Sequence, residues 1–160
     1  MLASVGKRVG DRFNLELAGG LILDGELAGS DIGVGGAVSL IGAGLILAET
    51  SSRPFVLASL TVSGSRTSAG GESLTAIDVR LGVVVGKTFW DRLTPYLGVR
   101  AFGGPVFWTM AGEDVTGQDK YHVSAGAGLT LRLPRPALEL FVEGMPLGEQ
   151  SLTAGVGLAL

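Results

Sequence analysis

The stretch AIDVRLGVVVG, residues 76–86, decides how the chain is read. Successive side chains of a strand point to opposite sides, so Ile77, Val79, Leu81, Val83 and Val85 form one face and Asp78, Arg80, Gly82, Val84 and Gly86 the other. In a water-soluble sheet the aliphatic face would cover a core and the charged face would meet solvent. The rest of the sequence decides whether inside and outside have been exchanged.

Composition narrows the choice. The mean hydropathy is +0.45 with only 17% charged residues, where soluble domains carry roughly 25%. Glycine makes up 27 of 160 residues and follows no triplet repeat. Disorder is excluded by the apolar content. One of the longest apolar runs, LIGAGLILA at 40–48, is cut by two glycines and falls short of the roughly 18 residues that a membrane helix needs. The opening residues MLASVGKRVGDRF contain no apolar signal-peptide core. Cysteine is absent, and a net charge of -3 without basic clusters points away from nucleic acid.

Arg12, Arg53, Arg92 and Arg135 sit in turn-like clusters 41, 39 and 43 residues apart, three of them beside Pro54, Pro95 or Pro136. Proline lacks a ladder donor and belongs at turns or strand starts. Four mostly longer, polar breaks alternate with these clusters, at 24–31, 67–73, 110–120 and 144–150. Eight strands are therefore expected, at about 12–24, 31–48, 55–66, 74–89, 95–108, 120–133, 137–144 and 150–160. A propeller blade would need four short strands per 40-residue period, where two long ones fit here. A break in alternation near Leu40 and Ile41 predicts a bulge. Residues 2–8 read as the descending half of another hairpin, which would make nine strands, or as a short plug, a frayed segment or the remnant of a longer barrel; residues 1–11 are taken as an N-terminal segment and 12–160 as the main domain.

What stands opposite the aliphatic positions carries the argument. A soluble sheet would place Lys, Glu, Thr and Gln there, whereas this chain places Gly, Ala and Ser, with a few ions: Glu16, Asp78, Arg80, Arg100, Arg132, Glu139 and Glu143. Small residues with balanced charges suit the crowded interior of an eight-stranded barrel, where the ions must pair. Leu15, Leu17, Ile77, Val79, Leu81, Val83, Val85, Val123, Leu129, Val156 and Leu158 are then expected to face lipid. Phe13, Trp90, Trp108 and Tyr121, with Phe55, Phe89, Tyr96 and Phe107, fall near strand ends, where aromatic girdles would lie.

On these features the sequence resembles the small bacterial outer-membrane barrels of the OmpA and OmpX type, over residues 12–160 and in architecture rather than close identity. The resemblance implies an antiparallel up-and-down transmembrane β-barrel in the outer membrane, a monomer with no open pore and no cofactor. It also implies contact with the bilayer and lipopolysaccharide, and delivery by the barrel-assembly machinery. That machinery reads an alternating final strand such as SLTAGVGLAL, although the family usually ends on Phe rather than Leu160. The acidic segment AGEDVTGQDK (111–120) is the expected contact surface for partners or divalent cations.

Chemistry has one candidate. His122 and Ser124 share a face and Glu139 lies on the next expected strand, an arrangement similar to the His-x-Ser pair and Glu of outer-membrane lipid A deacylases. YHVSAG lacks the Asn that follows Ser in that family, and the pair falls on the polar side rather than the lipid side. One His without Cys offers no metal set. A non-enzymatic envelope protein is the expectation; a soluble barrel carrying an apolar ligand and a lipid hydrolase are its rivals.

Overall fold

The computed structural model describes residues 2–23, 26, 27, 30, 31, 33–69, 72–110, 113–118, 120, 122–134, 138–148 and 150–158. The described chain is all-β and antiparallel. Its strands are β1 (Leu2–Val9), β2 (Phe13–Ile22), β3 (Glu26–Leu27), β4 (Ser30–Asp31), β5 (Val34–Leu47), β6 (Phe55–Ala69), β7 (Glu72–Gly86), β8 (Leu93–Gly103), β9 (Pro105–Met110), β10 (Glu113–Gln118), β11 (Val123–Leu133), β12 (Leu138–Leu147) and β13 (Ser151–Leu158). The principal sheet follows the order β1-β2-β5-β6-β7-β8-β11-β12-β13, with β9 paired to both β7 and β10, while β3 and β4 form a separate short ribbon.

The sheet has more strands than the eight inferred, and residues 2–9 take the further-hairpin alternative: they are a full strand whose ladder with β2 runs from Leu2↔Gly20 to Val9↔Phe13. The N-terminal segment is therefore neither plug nor frayed end, and its Val5 and Lys7 stand beside Leu17 and Leu15. The acidic segment, expected to be a loop, contains β10, paired with β9 from Glu113↔Met110 to Gln118↔Pro105. Thr109 Oγ1 donates to Asp114 Oδ1 across this ribbon at 2.8 Å.

The expected bulge at Leu40 and Ile41 is not where alternation breaks: Val34, Val38, Leu40 and Ile46 are all exposed, and Ile41 falls on the other side with Ser39. An irregularity is described between β11 and β12. Ala125 pairs Leu147 and Ala127 pairs Gly144, leaving Met145 and Pro146 opposite Gly126. Proline suits that place because it has no amide hydrogen for the ladder.

The chain divides into two compact units, residues 1–43, 59–81 and 102–120, and residues 44–58, 82–101 and 121–160. In the first, Gly10 at φ 65° opens the turn after β1, and Arg8 Nη2 donates to the Asp11 carbonyl at 2.8 Å. Gly35 and Gly104 are required by close backbone approach, since a Cβ there would strike the carbonyl oxygens of Arg66 and Ile77. In the second, Lys87 Nζ donates to the carbonyls of Thr50 at 3.0 Å and Ser51 at 2.7 Å, and the Thr88 amide donates to Glu49 Oε1 at 2.8 Å. These bonds tie the 49–53 turn to the end of β7. Trp90 and Asp91, both at positive φ, form the next turn, closed by the Arg92 amide on the Phe89 carbonyl at 3.1 Å.

Neither unit hides its oil. Ala18 and Met145 are the buried hydrophobic residues among those described, while Val5, Leu15, Leu17, Leu21, Val38, Ile77, Val79 and Leu81 in the first unit are exposed. So are Val83, Val85, Leu97, Val99, Val123, Leu129, Leu152, Val156 and Leu158 in the second.

Glycine placement predicts an asymmetry in mutational cost. A Cβ at Gly126 would collide with the Gly144 carbonyl oxygen and crowd Met145, whereas nothing stands within 4 Å of one at Gly117. Gly126→Ala is expected to lower stability by about 1–3 kcal/mol, as overpacking does. Gly117→Ala should leave the urea unfolding midpoint of the folded chain unmoved.

Candidate functional site

The polar side of the second unit converges on Glu143. Its Oε2 accepts from Tyr96 Oη at 3.1 Å and its Oε1 from Arg100 Nη2 at 2.5 Å. Tyr96 and Arg100 belong to β8 and Glu143 to β12, and these strands are not neighbours: β11 runs between them. The contact is possible because β11 presents glycines there. Gly128 pairs with Tyr96 on one side and Glu143 on the other, and Gly126 pairs with Gly98. Side chains from strands two apart, roughly 9–10 Å, can thus meet over bare backbone.

Aromatic rings complete this packing. A Cβ at Gly128 would run into the Tyr96 ring, one at Gly86 would meet Phe55 Cζ at 2.5 Å, and one at Gly155 would meet Phe141 Cε1 at 2.5 Å. Each ring occupies space where a side chain is missing. Phe55, the first residue of β6, and Tyr96, the fourth of β8, lie against Gly86 and Gly128 respectively. Met145, 1% exposed, fills the space left by the bulge, with Cε 3.5 Å from where a Gly98 Cβ would stand.

In the first unit the ions pair within one strand. Arg80 Nη2 lies 3.1 Å from Asp78 Oδ2, Arg80 Nε donates to the same oxygen at 3.2 Å, and the guanidinium sits 5.2 Å from the Phe102 ring centroid. A cation over an aromatic face is held by the ring quadrupole. Asp78 Oδ1 is buried without a hydrogen-bond partner. Glu16 is half-buried and pairs in register with Gly6. In the second unit Arg132 and Glu139 are 3.9 Å apart and largely solvated.

The remaining expected positions are placed as follows. Leu15, Leu17, Ile77, Val79, Leu81, Val83, Val85, Val123, Leu129, Val156 and Leu158 are all exposed. Phe13 and Trp90 are exposed beside turns, and Phe107 is exposed on β9. Trp108 is half-buried on the opposite side of β9 from Phe107, in register with Leu74. Tyr121 and Leu160 lie outside the described residues.

The hydrolytic triad is not brought together. Ser124 is 1% exposed with its Oγ unpartnered, so no base holds its proton, and His122 is exposed. Ser124 pairs with Arg100, while Glu139 pairs with Arg132 eight residues further along β11, roughly 27 Å away at strand rise. Spacing two residues apart on one strand could be read from the sequence; the register that carries Glu139 away could not. No group of three or more His, Asp or Glu residues stands in ligating reach among the described residues.

Sequence reasoning expects Glu143 to pair with one of the arginines on this face; what it misses is that Tyr96 joins Arg100 on Glu143, in a bridge over β11. The signal was present in AGAGL at 125–129, two glycines on one face of a strand. Removing one ion leaves the other uncompensated. Glu143→Ala should destabilise by about 2–3 kcal/mol, less than a fully buried pair because a quarter of Arg100 remains solvent-accessible. Arg132→Ala, at an exposed pair, should cost under about 1 kcal/mol. The double variant Arg100→Met with Glu143→Leu is expected to recover most of the loss in urea unfolding.

Comparison of the chain with protein-family models, with curated proteins and with solved structures finds no match.

Proposed function

We propose that this chain is a transmembrane β-barrel protein of the bacterial outer membrane. Its role is non-enzymatic: the barrel anchors the segments that connect its strands, and no open pore runs through it. The observation that carries this reading is the exposure of the aliphatic side chains on alternate positions of strand after strand, while the ions are paired on the other face. Water would reward the reverse arrangement; lipid rewards this one. Strands of 14 and 15 residues in β5, β6 and β7 exceed the roughly 9–11 that a tilted strand needs to cross the hydrocarbon.

On this reading the partners are bilayer lipid, lipopolysaccharide and the barrel-assembly machinery. The reading also requires partners in the membrane for the outer edges of β1 and β13, which end the sheet among the described residues, because an unpaired amide or carbonyl has nothing to bond with in lipid. The Arg100–Glu143 pair and the rings against Gly86 and Gly128 occupy part of the polar side of the second unit, which is why an anchor is preferred to a channel.

Folding in the presence and absence of detergent is the direct test. The chain is expected to give β-sheet circular dichroism and a cooperative unfolding transition only with detergent micelles or lipid vesicles. In vesicles, Val83→Arg should cost about 2–4 kcal/mol if that position lies near the bilayer midplane. A monodisperse, folded chain in detergent-free buffer would overturn the membrane reading and favour a soluble barrel with an apolar cargo.

A further inference from the structure

Across β2, β5, β6 and β7 of the first unit, the exposed aliphatic side carries one charged residue among those described, Arg66. It is exposed and makes no ion pair with any described residue. Beside it lies an apolar groove of about 430 Å³, lined by Gly36, Val38, Gly64, Arg66, Thr75 and Ile77. Arg66 stands three residues from the end of β6 and Thr75 three from the start of β7. Thr75 pairs in register with the exposed Phe107 of β9. A cation, a hydroxyl and an aromatic ring thus share one level. Gly64 and Ile77 lie two residues deeper, roughly 7 Å along the strands.

The groove is not a by-product of tight packing. A Cβ at Gly64 would find only the Ala76 carbonyl oxygen, at 3.9 Å, and one at Gly36 only the Gly20 carbonyl oxygen, at 3.6 Å. Both are ordinary contacts, and neither glycine has a positive φ. Glycine weakens a strand, so its presence at two roomy positions leaves volume open for something other than this chain. The occupant must match an apolar trough with a single positive charge at one end.

We propose that this groove seats one lipid of the surrounding bilayer that bears an anionic phosphate headgroup, its acyl chain lying over Gly64 and Gly36 and its phosphate held by Arg66 and the Thr75 hydroxyl. The proposal rests on the membrane reading given above. A guanidinium forks onto phosphate oxygens, and its long stem lets the charge reach the headgroup level while the methylenes stay against apolar surface. The phosphate replaces the ion partner that no described residue supplies.

The test uses the full chain folded in uncharged maltoside micelles and titrated with dihexanoyl phosphatidylglycerol, dihexanoyl phosphatidylcholine or inorganic phosphate. Amide shifts of Gly36, Gly64 and Thr75 are read by NMR. Saturable shifts are expected with phosphatidylglycerol, at least tenfold weaker with the zwitterionic lipid and with phosphate alone. Arg66→Gln should weaken phosphatidylglycerol at least fivefold, and Arg66→Lys should retain most of the affinity. Gly64→Val should block the trough while leaving the urea midpoint in place. Equal response to both lipids, no effect of Arg66→Gln, or equal binding of free phosphate would overturn the proposal. Should the chain instead stay folded and monodisperse without detergent, the membrane reading fails by that result alone. The same titration in plain buffer, below the micellar concentration of the lipid, then decides the groove separately.

Discussion

The constraint on which everything else rests is the near absence of a buried hydrocarbon core among the described residues. Ala18 and Met145 are the hydrophobic residues that the described fold hides, and folding normally draws its main favourable contribution from burying such groups. What the chain supplies by itself is a continuous antiparallel ladder, ions paired across or along strands, and rings laid over glycines. On the proposed reading the missing term comes from lipid, which covers Val79, Leu81, Val83 and their neighbours without asking them to leave the surface.

Glycine is the means by which side chains from strands two apart meet on the polar side. Gly126 and Gly128 expose bare backbone on β11, so Glu143 of β12 can accept from Tyr96 and Arg100 of β8. Gly86 and Gly155 receive Phe55 and Phe141 in the same way. Elsewhere glycine is demanded by contact, as at Gly35 and Gly104 where backbones come within touching distance. Gly36 and Gly64 are among the glycines where a Cβ would meet only ordinary contacts, and these two line the groove beside Arg66.

The buried hydroxyl of Ser124 illustrates how a chemical motif can be present in sequence without becoming a site. Its neighbour in the ladder is Arg100, its Oγ has no partner, and the carboxylate that would complete a triad is held by Arg132 at the far end of the same strand pair. A nucleophile needs its base within hydrogen-bond reach and the base needs an orienting group. Two residues at the right spacing on a strand meet the first condition only in outline.

Read alone, the sequence determined the all-β character, the alternation that splits β7 into Ile77, Val79, Leu81 and Val83 against Asp78 and Arg80, and the positions of most turns, because side-chain direction in a strand repeats every two residues whatever the partner. It also marked which ions share a face. Tertiary structure decided the register: that Glu143 rather than Asp78 meets Arg100, that Asp78 and Arg80 bond along their own strand, that the bulge falls at Met145 and Pro146, and that residues 2–9 and 113–118 are ladder strands. Pairing register depends on which strand lies alongside and by how many residues it is offset, and a single chain of letters records neither.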